Sequence, residues 1–123
     1  MTNRRQETGK RGEEAARKFL ERRGYRVLET NYRTRFGEID IVGEKNGAVA
    51  FLEVRTRAVN SPYGSPEESL TSHKRSHMVL AAQLYLQHKR MEDRDWRIDL
   101  VAVEIGAGGR IARMSLVENA IEL

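Results

Sequence analysis

The sequence predicts an α/β domain, a mixed β-sheet with helices packed on it, in the order helix, strand, strand, strand, helix, strand. Three observations predict it. An amphipathic stretch near the start closes on Gly24. The segment Gly37 to Arg57, GEIDIVGEKNGAVAFLEVRTR, carries two apolar-rich runs, Glu38–Gly43 and Ala48–Arg55, joined by Asn46-Gly47. Both turn residues tolerate the positive φ of a type I′ turn, so the runs form a hairpin. A second helical stretch then leads into DWRIDLVAVEI, apolar on both faces beyond Leu100, as a strand covered on both sides must be. A hairpin inside a helix–strand alternation implies a mixed sheet. A length of 123 residues suits one domain spanning 1–123.

In chain order, residues 1–7 are polar and expected to fray. A helix is expected from about Thr8 to Arg23 with Gly24 as its C′ residue. Ala16, Phe19 and Leu20 form its buried stripe, and Glu13 falls at the stripe's edge. Tyr25 to Tyr32 reads as a strand, with Tyr25, Val27 and Glu29 on one face and Arg26 and Leu28 on the other. Asn31 to Phe36 is a basic turn into the hairpin. Ala58 to Glu68, rich in Pro, Gly, Ser and Asn, is an irregular loop of the length often given to function.

Thr71 or Ser72 can cap a second helix running to about Lys89. Its apolar residues, Met78 to Leu86 with Leu80 and Leu84, predict burial over more than half its girth. His73 and His77 are spaced i, i+4, which can present two imidazoles to one metal. No third ligand matches that spacing, so they read as solvated histidines. In the next strand Asp99 is the polar exception, a further acidic group or a solvated strand end. Arg110–Met114 is a short last strand, and Glu118–Leu123 a terminal turn or short helix.

Cysteine is absent, which excludes disulfides and thiolate metal sites and suits a reducing cytosol, the expected compartment. No apolar stretch resembles a signal peptide or membrane span, so neither is expected. Lysine and arginine outnumber acids 22 to 18. The excess lies in residues 1–35, which hold eleven basic side chains against five acids.

Counting outward from Asn46-Gly47 sets Asp40 across from Glu53 and Glu38 across from Arg55. Directly opposed residues share a face with Cβ atoms roughly 4.5–5.5 Å apart. Two carboxylates so placed repel, which raises the pKa of one or draws in a cation. An oxygen-lined site of this kind suits a hard divalent metal such as Mg²⁺. An exposed strand pair with solvated charges satisfies the same register, and the count alone admits both. A basic surface beside paired acids is what a metal-dependent phosphodiesterase requires, although basic surfaces are common.

Several of these pieces occur together elsewhere. GEID, a short spacer and FLEVRTR are preceded by G-x-x-G-E-x-x-A over Gly9–Ala16. They are followed by P-E-E-S-L-T-x-x-K ending at Lys74 and by R-I-D-L-V-A-V. Over roughly residues 8 to 104 the combination resembles the YraN family of small bacterial proteins. The resemblance implies a restriction-endonuclease-like core with a PD-(D/E)xK-type site, similar to archaeal Holliday-junction resolvases.

It makes Asp40 and Glu53 the metal carboxylates, Arg55 the occupant of the motif-lysine position, and Glu13 the first-helix glutamate that completes the acidic cluster. The Val54 carbonyl becomes a further metal ligand. Arg11, Arg33, Arg35, Arg57 and Lys74 become nucleic-acid contacts. The implied activity is Mg²⁺- or Mn²⁺-dependent hydrolysis of DNA, at branched or recombination structures, by a protein that forms homodimers.

Arginine in place of lysine is a departure, since its pKa exceeds ~12 and it cannot act as a general base. It can orient water or bind phosphate, and Glu38 opposite it could hold it away. Two other functions therefore stand beside cleavage. One is an impaired nuclease-fold module that binds nucleic acid or a protein without cutting, and the other is a scaffold that meets no nucleic acid.

Overall fold

The computed structural model describes residues 4–122, with side chains from Gly9 onward. The elements are α1 (Arg4–Arg22), β1 (Arg26–Thr34), β2 (Gly37–Lys45), β3 (Ala48–Ala58), α2 (Ser72–His88), β4 (Trp96–Ile105) and β5 (Ile111–Ile121). Short 3₁₀ turns lie at Glu67–Ser69 and Ala107–Gly109. One five-stranded sheet has the order β1-β2-β3-β4-β5, antiparallel throughout except for the parallel β3–β4 pair. This is the predicted mixed α/β architecture, with a helix on each face.

Two apolar clusters fill the two interfaces. Ala16 and Leu20 of α1 pack with Ile41, Ala50, Leu52, Val101 and Val103 on one face. Ala81, Ala82, Tyr85 and Leu86 of α2 pack with Val42, Val49, Phe51 and Ile98 on the other. The alternation along β3 and β4 supplies both layers, so these central strands are apolar on both sides.

Helix α1 ends as predicted on Gly24 at φ +88°. The Gly24 amide donates to the Glu21 carbonyl and the Tyr25 amide to the Leu20 carbonyl, a Schellman closure. The helix begins earlier than expected, at Arg4. The expected fraying of residues 1–3 lies outside the described residues, while 4–7 form part of the helix. At mid-helix Gly12 rests on β3, where a Cβ would come 2.5 Å from Thr56 Oγ1. Only glycine permits that approach, and it sets the height of α1 above the sheet.

Four expectations are corrected. The turn placed at Asn31–Phe36 is mostly strand, because β1 pairs with β2 out to Thr34↔Gly37. An irregularity between Val27 and Glu29 reverses the alternation, so Glu29 leaves the face of Val27 and meets Lys89, the residue that follows α2, at 3.5 Å. Helix α2 is not buried over most of its girth, since Leu80 is 39% exposed. The chain end is neither a short strand nor a helix. Strand β5 runs unbroken to Ile121, because pairing with β4 from Ile105↔Ile111 to Ile98↔Ile121 outweighs its polar composition.

Candidate functional site

The hairpin has the register counted from Asn46-Gly47, with positive φ at both turn residues and pairs from Lys45↔Ala48 to Ile41↔Leu52. Pairing stops there, one step before Asp40 would face Glu53. Beyond that point the Val54 amide donates to Asp40 Oδ2 at 2.8 Å, so an aspartate side chain takes the place of a main-chain acceptor. The strands open around this carboxylate. Val54 thus enters the site through its N–H.

Three carboxylates gather at the opening. Glu13 of α1, Glu38 of β2 and Asp40 each offer an oxygen within 4.8 Å of the others. Asn31 links two of them, its Nδ2 donating to Glu38 Oε1 at 2.8 Å and to Glu13 Oε2 at 3.2 Å. Asn31 takes a left-handed φ of +53°, a conformation asparagine tolerates better than most residues. Neither Asn31 nor Glu38 is among the expected ligands. The spacing of two between Glu38 and Asp40 was the available signal for Glu38. The contact of Asn31 depends on α1 docking, which no local pattern encodes.

Glu53 lies outside this group of three but close enough for its charge to act on Asp40. Burial and then the Glu53 charge push the Asp40 carboxyl up to about 8, with Glu13 and Glu38 adding to the effect. Burial also raises Glu53, while Arg55 and Lys74 pull it back. A buried carboxyl hemmed in by three others favours its proton or a cation. The donor set is all oxygen, and its spacing fits a shell of oxygens about 2.0–2.6 Å from a hard divalent ion.

The Arg55 guanidinium is spent locally, donating from Nε to Ser69 Oγ at 2.7 Å and from Nη1 to Glu53 at 3.3 Å. It does not pair with Glu38, which the register had suggested. Glu38 instead joins the acid cluster and meets Arg33 at 3.4 Å. Lys74, in the first turn of α2, reaches the Ser69 carbonyl at 3.5 Å. Burial, then the neighbouring Arg55 charge, lower its pKa. Arg57 adds to the same positive field.

Arg35 lies over the Phe36 ring at 5.0 Å. Arg11 points elsewhere, donating to the Gly109 carbonyl at 2.8 Å. His73 is exposed as expected, but His77 is half-buried, its Nδ1–H donating to the Phe36 carbonyl at 3.1 Å.

Asp99 proves to be neither solvated nor part of this cluster. Fully buried on β4, it accepts from Arg97 Nε at 3.0 Å, from the Asn119 amide at 2.8 Å and from Tyr25 Oη at 3.5 Å.

Known proteins resemble this chain along its length. A model of the uncharacterised protein family UPF0102 matches residues 12–103. A UPF0102 protein of Dehalococcoides mccartyi is 40% identical over 121 residues, covering 98% of each chain. One from Syntrophus aciditrophicus is 40% identical over 116 residues, covering 94% of this chain and 89% of the relative. One from Symbiobacterium thermophilum is 41% identical over 112 residues, covering 91% and 93%. The matched span includes Glu13, Asn31, Glu38, Asp40, Glu53, Arg55 and Lys74.

Proposed function

The chain belongs to the uncharacterised protein family UPF0102, the YraN family, and we propose that it is a metal-dependent endonuclease hydrolysing DNA phosphodiesters. The observation that carries this reading is the opening of the β2–β3 ladder at Asp40. It brings carboxylates from α1 and β2 within 4.8 Å of one another, with the Glu53 charge of β3 acting on Asp40, beside cationic groups of β3 and α2.

In this reading Asp40, Glu13 and Glu38 hold Mg²⁺ or Mn²⁺, with Glu53 and the Val54 carbonyl as further oxygen donors. The ion, when bound, neutralises the acids and withdraws charge from a phosphoryl oxygen. Asn31 keeps Glu13 and Glu38 turned inward. Glu53 supplies the neighbouring charge that favours a proton or a cation at Asp40. Lys74 offers its ammonium to the phosphate. Arg55 fixes Glu53 against the Ser69 turn and presents its remaining N–H groups to the substrate. Arg33, Arg35 and Arg57 contact the DNA backbone, and Arg11 contributes charge from the α1 side. Two copies acting together on a branched substrate, in the bacterial cytoplasm, complete the proposal. Among the described residues no helix is long and apolar enough to cross a membrane.

The test is cleavage of flapped, branched and single-stranded DNA with Mn²⁺ or Mg²⁺. Wild type should cut, and Asp40→Asn should lose at least ~100-fold in rate. Equal traces from the two proteins would sink the proposal.

A second reading has one observation in its favour, the engagement of Arg55 by Ser69 and Glu53. It describes a module that binds nucleic acid or a protein partner without cutting. It gives salt-dependent binding, no cleavage with any divalent ion, and no gain in Arg55→Lys.

A further inference from the structure

Resting on the endonuclease reading above, we propose that the cavity beside the acid cluster receives a single unstacked nucleobase, so that the substrate carries an unpaired nucleotide next to the scissile phosphate. The cavity encloses about 180 Å³ between the β1–β2 turn and the start of α2. That is below the ~300–1,000 Å³ of sites for drug-sized ligands. It offers room for one ring system and none for a base pair.

Its walls differ in chemistry. Phe36, His77 and Met78 are aromatic or apolar, while Glu38, Glu53, Arg55 and Lys74 are charged. Phe36 and His77 meet edge to face, with centroids 6.2 Å apart and planes at 71°. The Nδ1–H bond to the Phe36 carbonyl fixes the imidazole against the turn. The exposed His73 ring lies 4.1 Å from His77 and extends this surface toward solvent. Flat π-faces next to a cation form the surface on which proteins stack single-stranded bases. With a ring against Phe36 and His77, the attached backbone runs past Lys74, and the neighbouring phosphate reaches the acid cluster.

A base inside a duplex reaches such a cavity only after unstacking, a cost that vanishes where the base is already unpaired. The site therefore favours flaps, bulges and single strands over continuous duplex.

The experiment measures binding in the Asp40→Asn background, which separates affinity from cleavage. Fluorescence anisotropy compares a continuous duplex with the same duplex carrying a short flap, and 2-aminopurine at the flap reports stacking. Flapped DNA should bind about 10-fold or more tightly than duplex, with a change in 2-aminopurine emission. Met78→Trp, which fills the cavity, and His77→Ala, which removes one face, should each abolish the preference, and duplex binding in each variant is the control for folding. Equal affinity for the two DNAs, or a preference that survives Met78→Trp, overturns the inference. If wild type cuts flapped and continuous duplex equally well, the inference falls and the endonuclease proposal stands. If neither DNA binds, both fall together.

Discussion

Asp99 on β4 and Asp40 on β2 are both aspartates drawn into the sheet, and they are surrounded in opposite ways. Around Asp99 every neighbour is a donor. Arg97, the Asn119 amide and Tyr25 converge on it, and Arg97 Nη2 also donates to Tyr25 Oη at 2.8 Å. Around Asp40 one main-chain N–H stands against three carboxylates. The first is a closed network that ties the start of β1 to β4 and β5. The second is a charge imbalance that the protein alone does not relieve. Burial of an acid does not mark a site, whereas burial among other acids does.

Replacing each aspartate by asparagine tests this contrast, and the effects should have opposite sign. Asp99→Asn leaves the Arg97 charge without its buried partner. It should cost roughly 3–5 kcal/mol, visible as a lower midpoint in urea unfolding. A change below ~1 kcal/mol would show that Asp99 is no keystone.

Asp40→Asn removes the repelled charge and keeps an acceptor for the Val54 amide. The folded carboxyl titrates at about 8 against an ordinary value of 3.8. Between those values the unfolded chain loses its proton and the folded chain keeps it, so metal-free stability falls as pH rises from about 4 to about 8. In Asp40→Asn that slope should flatten, and the variant should exceed wild type by roughly 1–3 kcal/mol at pH 8. Millimolar Mn²⁺ should raise the melting temperature of wild type by several degrees and leave the variant unmoved. A destabilised Asp40→Asn with an intact metal response would erase the distinction between the two aspartates.

The smallest effect is expected from Ser69→Ala, which removes the acceptor of Arg55 Nε. It should cost about 1 kcal/mol. An unchanged Mn²⁺ shift would place the Arg55–Ser69 contact with the structural kind of network around Asp99. A weakened one would join it to the acid cluster.

What could be read from the sequence was what neighbouring residues decide. Asn46-Gly47 fixed the hairpin count as far as Ile41↔Leu52, and Gly24 fixed the end of α1, because both depend on local φ preferences. The same count led to Asp40 meeting Glu53, and the two carboxyls do interact. It did not show that the ladder opens there, since an amide captured by a side chain leaves no periodic trace. Glu38 was assigned to Arg55 by register, but Asn31 draws it toward Glu13, a contact that exists only once helix and sheet have docked. Asp99 was ambiguous for the same reason, because two of its three partners lie 74 and 20 residues away. The length of β5 came from the neighbouring strand rather than from its own composition.

The seat of Gly12 on Thr56 has a mechanical consequence. Helix α1 has 19 residues, about 28 Å at 1.5 Å per residue, and it touches β3 most closely near its midpoint. Beyond that contact Ala16 and Leu20 sit in the core and the closure on Gly24 fixes the end, so the helix is a lever clamped over its C-terminal half. Tilting the N-terminal arm by about 5° swings its tip by roughly 1 Å, while a group beside the clamp hardly moves. Glu13 is the residue next to the clamp, so under the proposed DNA reading the basic N-terminal arm follows a curved polyanion without disturbing the acid that the helix carries.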